Sequence, residues 1–212
     1  MIALPYDGGP VISGHEHVLV VPWGWSSDPA GELPYVQGFL KGLGTGHDRW
    51  SRILETYPHV KYPHHVYIGT WHDTHRFPVA PTLDQFTAEA DRAAAKFPHL
   101  SNLIVVILTA PQSVMQQIDN SCAFHSYAST GAYIAVSYPT GGCPSTGVEI
   151  SHEWAETLTD PDPLTPAWAT FDGSEAADIC GSAPGGTVQF ATGTFPVAAV
   201  WDRRTWSCEV TG

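Results

Sequence analysis

Basic residues are scarce in this sequence. Nine Lys+Arg stand against 21 Asp+Glu, for a net charge of −12. So few cations cannot form a basic patch, which argues against nucleic acid and anionic membrane surfaces as partners. Charged residues of both signs make up only 14% of the chain, while hydrophobic residues make up 43%. That balance belongs to a folded chain and excludes a disordered one. No apolar run approaches the ~20 residues of a membrane-spanning helix. No C-x-x-C pair occurs, which disfavours a thiolate zinc site or a redox dithiol. The G-x-S-x-G turn of serine hydrolases is also absent, so Ser126 and Ser151 are poor candidates for a nucleophile.

What is present suits one domain of 212 residues, large enough to bury a real core. The four cysteines, Cys122, Cys143, Cys180 and Cys208, allow three connectivities. Pairing Cys122 with Cys143 and Cys180 with Cys208 is preferred, because each closes a modest loop contributing ~3 kcal/mol. The even cysteine count, the few lysines and the many Trp, Gly, Pro and Thr predict a secreted, extracellular protein.

Along the chain, residues 1–14 read as an extended Gly/Pro-rich arm. His17–Trp23, His65–Thr70 and Ala132–Tyr138 read as strands. The unbroken apolar run Asn102–Thr109 predicts a strand buried on both faces, at the centre of a sheet. Leu33–Leu43 and Asp48–Thr56 read as short helices. Thr82–Phe97 carries a capping box (Thr82, Gln85) and an apolar stripe, so a helix is expected there. Ser145 or Thr146 can cap a further helix running to Thr159, and Pro161 ends it. Residues 160–187 read as a polar loop with a short helical piece near Ser174–Ile179. Val197–Asp202 and Ser207–Val210 suggest a terminal hairpin. The fold class is therefore α/β (α+β): a single domain with a mixed β-sheet, an active-site helix and a C-terminal hairpin.

The helix near residue 150 carries the chemistry. At 100° per residue, Glu156, Glu149, Asp160 and Glu153 fall within about 100° of His152. Val148, Ile150, Trp154, Ala155 and Leu158 are left as a core-facing stripe. His152 and Glu156 stand one turn apart, so both can reach one cation. Glu153 can then act on a water there, which is the logic of H-E-x-x-H metallopeptidases with the second histidine replaced by glutamate. Carboxylates bind zinc, and the extra negative charge also admits calcium.

Glu175 follows Glu156 by nineteen residues, an interval resembling that of the third ligand in thermolysin-like enzymes. Asp178, one turn later, joins the candidate ligand set or orients His152 from behind. His125, pinned by the expected disulfide near the start of the helix, is an alternative third ligand or a transition-state stabiliser. His15, His17, His64, His65, His72 and His75 are weaker candidates, more often surface or satisfied polar residues. The eight Trp read first as core and rim. Exposed ones would suit a sugar ring.

Several segments resemble the Exordium-like (phosphate-induced protein 1) family and its bacterial and fungal relatives. Ser151-His152-Glu153-Trp154-Ala155-Glu156 through Pro161 is similar to its S-H-E-x-x-E-x-x-[ST]-[ND]-P segment. Glu175-Ala176-Ala177-Asp178-Ile179-Cys180 resembles E-I-G-D-x-C, without the glycine. Cys122 to Ser126 resembles C-G-x-H-[GS], and Val200-Trp201-Asp202 through Cys208 resembles the family's ending. The resemblance implies secretion and, in plants, association with the cell wall and growth.

The resulting expectation is a secreted zinc-dependent peptidase with a zincin-like domain, acting on a peptide or protein. His152, Glu156 and Glu175 bind zinc, Glu153 is the general base, and Asp178, Asp160 and His125 support them. The rivals are a non-enzymatic protein whose acidic helix holds calcium or faces solvent, and a polysaccharide-binding wall protein.

Overall fold

The computed structural model describes residues 4–61, 66–111, 121–139, 143 and 145–212. Nine strands and three α-helices are described: β1 (His17–Pro22), α1 (Glu32–Gly42), β2 (Tyr67–Thr70), α2 (Leu83–Ala94), β3 (Leu103–Leu108), β4 (Ala123–Ala128), β5 (Gly131–Val136), α3 (Thr146–Thr159), β6 (Gly186–Phe190), β7 (Gly193–Val197), β8 (Val200–Asp202) and β9 (Ser207–Glu209). The first five strands form one mixed sheet in the order β2-β1-β3-β5-β4. Neighbours pair in parallel, except that β4 runs antiparallel to β5 at the edge.

Strand β3 takes the centre, with all six residues buried. Its alternate side chains feed two cores, as the two-residue period of a strand requires. Ile104 and Val106 point to the face covered by α3, beside Val18, Val20, Ile134, Trp154 and Leu158. Val105 and Ile107 point to the other face, beside Val21, Tyr133 and the Phe86, Ala90 and Ala93 stripe of α2. The expected capping box opens α2: Thr82 accepts from the Gln85 amide, and the Gln85 side chain accepts from the Thr82 amide.

Several elements differ from the sequence reading. The segment Asp48–Thr56 is a 3-10 turn over Ser51–Thr56. Asp48 accepts from the backbone of both Gly44 and Ser51 there, and this local bonding competes with a full helix. The second strand starts at Tyr67; the expected start at His65 lies outside the described residues. Strand β4 and the hairpin β6–β7 were not expected. The N-terminal arm lies against the chain after α3, through Asp7 N–H to Ala167 O, Gly9 N–H to Pro166 O and Ile12 N–H to Leu158 O. The terminal hairpin forms as β8–β9. Both preferred disulfides are present.

On the α2 face, Asp73 is buried. It accepts from His75 Nδ1 at 2.5 Å and from Arg92 Nη2 at 2.8 Å. Burial pushes its carboxyl up, but the bonds to His75 and the Arg92 charge outweigh this and leave it below the usual value. A depressed folded value gives stability that is present above the unfolded pKa and lost as pH falls through the folded one. Asp73→Asn should therefore cost on the order of 1 kcal/mol at neutral pH, since Arg92 is partly screened by solvent. It should also flatten the acid limb of urea midpoints measured against pH.

Candidate metal centre

The helix α3 is gripped on its core side by Ile150, Trp154, Ala155 and Leu158, all fully buried. Val148 does not join them. It is half-buried and lines the cleft, because it lies only about 40° from His152 on the helix. The acidic face is not solvated either. Glu153 is 6% exposed, Glu156 3% and Asp160 1%. Buried carboxylates need a compensating partner, so this face is a built site and more than a solvent-facing stripe.

Two elements converge on it. The antiparallel edge strand β4 supplies His125. The turn after the polar loop supplies Glu175 and Asp178, and the Asp178 amide donates to Glu156 Oε1 at 3.0 Å. That bond straps the turn to α3. A 3-10 turn then runs Asp178–Cys180, and the Cys180–Cys208 disulfide ties it to β9. Replacing Cys180 and Cys208 by serine should lower stability by about 3 kcal/mol. It should also weaken any ligand held by Asp178, two readouts taken from urea melts with and without metal.

The distances sort the candidates into two groups sharing Glu156. In the first, His152 Nε2 lies 3.2 Å from Glu156 Oε1 and 3.2 Å from Asp178 Oδ1. In the second, His125 Nδ1 is 3.8 Å from Glu156 Oε2, and His125 Nε2 is 3.5 Å from Glu175 Oε1. Glu175 is therefore grouped with His125, and Asp178 stands beside His152 and Glu156. Glu153 Oε2 is 3.1 Å from His125 Nδ1.

His125 sits against the middle and end of α3, not its start. Its Nε2 lies 3.0 Å from the Asp160 carbonyl. A carbonyl only accepts, so Nε2 donates to it, and Nδ1 faces Glu153 and Glu156. Asp160 itself accepts from the Ala167 amide through Oδ1, which fixes the carbonyl's position. Sequence reasoning underweighted His125 and did not find its strand. The alternation of buried Ala123 and His125 with half-buried Phe124 and Ser126 belongs to the fold, and the residue types Ala-Phe-His-Ser do not announce it.

The charges are strongly coupled. Burial pushes the Glu156 carboxyl up, and so does the Glu153 charge, against the opposing pull of His152. Burial likewise pushes Glu175 up to about 8, with Glu156 and Asp160 adding to it. Asp160 is raised, chiefly by burial. For the histidines burial acts the other way, yet Asp178 and Glu156 hold His152 up at about 11. Glu153 and Glu175 raise His125 well above its ordinary value. Asp178 is lowered, first by its bond to His152. Five carboxylates thus face two imidazoles, and among the described residues no Lys or Arg lines the cleft of ≈ 440 Å³ beside them. Glu175 Oε1 is buried without a hydrogen-bond partner. These side chains could hold a cation.

The donor set fits zinc. Ligands at 2.0–2.2 Å in tetrahedral array lie roughly 3.3–3.5 Å apart, close to the two 3.2 Å separations around His152. Among the described residues the other histidines join neither group. His75 is bound to Asp73 and His17 Nδ1 to Ser101 O, while His64 and His65 lie outside the described residues. Of the tryptophans, Trp23, Trp50, Trp154, Trp168 and Trp201 are buried, and Trp206 is 49% exposed. No helix among the described residues is long and apolar enough to cross a membrane. Neither the models of known protein families nor the curated proteins give a match to this chain.

Proposed function

We propose that this chain is a secreted zinc-dependent metallopeptidase, with zinc held by His152, Glu156 and Asp178. The observation that carries the reading is the convergence of His152 Nε2, Glu156 Oε1 and Asp178 Oδ1 at the wall of an open cleft, with Glu153 beside them. Asp178 takes the ligand role first expected of Glu175. When bound there, zinc supplies a Lewis acid and lowers the pKa of water.

The chain's own groups do the rest. Glu153 takes a proton from a cleft water at its carboxylate and passes it to the leaving amine. His125 Nδ1, at 3.1 Å from Glu153 Oε2, balances the carboxylate and is positioned to stabilise negative charge developing on the substrate carbonyl. Among the described residues no strand pairs with the outer edge of β4, so an extended peptide can add to that edge and reach the site. The two disulfides support an extracellular setting. Kinship with the Exordium-like family is proposed alongside, on the motifs quoted above.

A second reading has its own support. The second group, His125, Glu156 and Glu175, brings the carboxylates of the two groups to three, Glu156, Glu175 and Asp178; a surplus of oxygen donors favours a hard cation such as calcium, and that role needs no catalysis. Elemental analysis of protein purified without chelator separates the two. The peptidase reading expects stoichiometric zinc and peptide hydrolysis that is lost on chelation and restored by zinc. Calcium at stoichiometry, with no hydrolysis, defeats it.

A further inference from the structure

Beside the metal-ligand groups lies a second recess of ≈ 370 Å³, which shares His152, Glu153 and Asp178 with the main cleft. Its wall includes Ala177, Ala183, Ala198 and Ala199 together with Glu149. The methyl groups offer an apolar surface. Among the described residues no Lys or Arg lines the recess. Glu149 is half-buried, and among the described residues no hydrogen bond or ion pair reaches its carboxylate. Its helix leaves it one turn before Glu153, whose charge opposes it, while His152 favours it.

We infer that this recess is a substrate subsite for a basic side chain, its aliphatic stem lying on the alanine wall and its ammonium or guanidinium meeting Glu149. This rests on the peptidase reading. Long cationic side chains bury the stem and keep the head at a polar group, and the recess offers alanines for the one and Glu149 for the other. An acidic substrate side chain would meet Glu149, Glu153 and Asp178 and be repelled. The recess adjoins His152 directly, so the basic residue lies close to the scissile bond.

Zinc-loaded protein is given a mixed peptide library, and the cuts are mapped by mass spectrometry. Lys and Arg should be enriched at one fixed position within a few residues of the cut. A basic substrate should be favoured about tenfold in kcat/KM over its norleucine analogue. Glu149→Gln should remove that preference while retaining zinc, and Glu149→Lys should turn it towards acidic side chains. Cleavage with no basic preference, or a preference unchanged in Glu149→Gln, overturns the subsite and leaves the peptidase reading standing. Absence of all cleavage overturns the peptidase reading instead. Calorimetry then decides the subsite: tighter binding of a lysine hexapeptide than of its norleucine analogue, lost in Glu149→Gln, supports it, and equal binding overturns it.

Discussion

Glu153→Gln keeps its zinc and hydrolyses peptides about 10²- to 10⁴-fold more slowly, the usual range for removing a general base. The substitution preserves shape. Glu153 is 6% exposed, so a smaller side chain would leave a hole, and glutamine does not. Glutamine still meets His125 Nδ1 with one end of its amide, but it cannot take up a proton at neutral pH. Glu153 lies in neither group of converging ligand atoms, so metal content should stay at the parental level. The split between the two readouts is the point of the experiment. A structural role for Glu153 would lower metal content and thermal midpoint together. Full hydrolysis by Glu153→Gln would sink the mechanism, and loss of zinc would move Glu153 into the ligand set.

The difference between this glutamate and its neighbour at 156 was legible in the sequence, because it depends only on helical spacing. His152 and Glu156 share a face at i and i+4, and Glu153 stands a quarter-turn away. The strand β3 and the capped helix α2 were legible for the same reason: an unbroken apolar run and a Thr-x-x-Gln box are local signals. The burial of the acidic face was not. A row of Glu and Asp on a helix ordinarily means solvent, and only the packing of β4 and the Glu175–Asp178 turn over α3 encloses it. His125 was visible as a residue but not as a position. Its place follows from the antiparallel ladder that sets His125 opposite Ile134, across a tight Ser129-Thr130 turn without the Asn-Gly or Asp-Gly signal of a hairpin. Val148 was misplaced by a plain angular error, since a residue four positions before His152 lies nearly on its face.

The choice between Glu175 and Asp178 shows the same limit and yields the second large effect. Spacing from Glu156 favoured Glu175. The fold sets Asp178 beside His152 and Glu175 beside His125; the Asp178 amide donates to Glu156 Oε1 and the Cys180–Cys208 disulfide holds the next residues. Asp178→Asn is therefore expected to weaken zinc more than about 100-fold, beyond the 10- to 100-fold typical of groups that only orient a ligand. Asparagine is the informative replacement. Asp178 Oδ2 also accepts from the Glu175 amide at 3.2 Å, and an asparagine oxygen can keep that bond and so keep the turn. Glu175→Gln, by contrast, should cost tenfold or less, since Glu175 stands with His125 away from the His152 group. Its carboxyl is already held up to about 8 by burial and neighbouring acids. A chromophoric chelator competing for zinc measures both affinities at one pH, and melts of the metal-free variants check that each remains folded. If Glu175→Gln proves the more damaging of the two, the cation belongs to His125, Glu156 and Glu175. Asp178 then serves only to hold His152 in place.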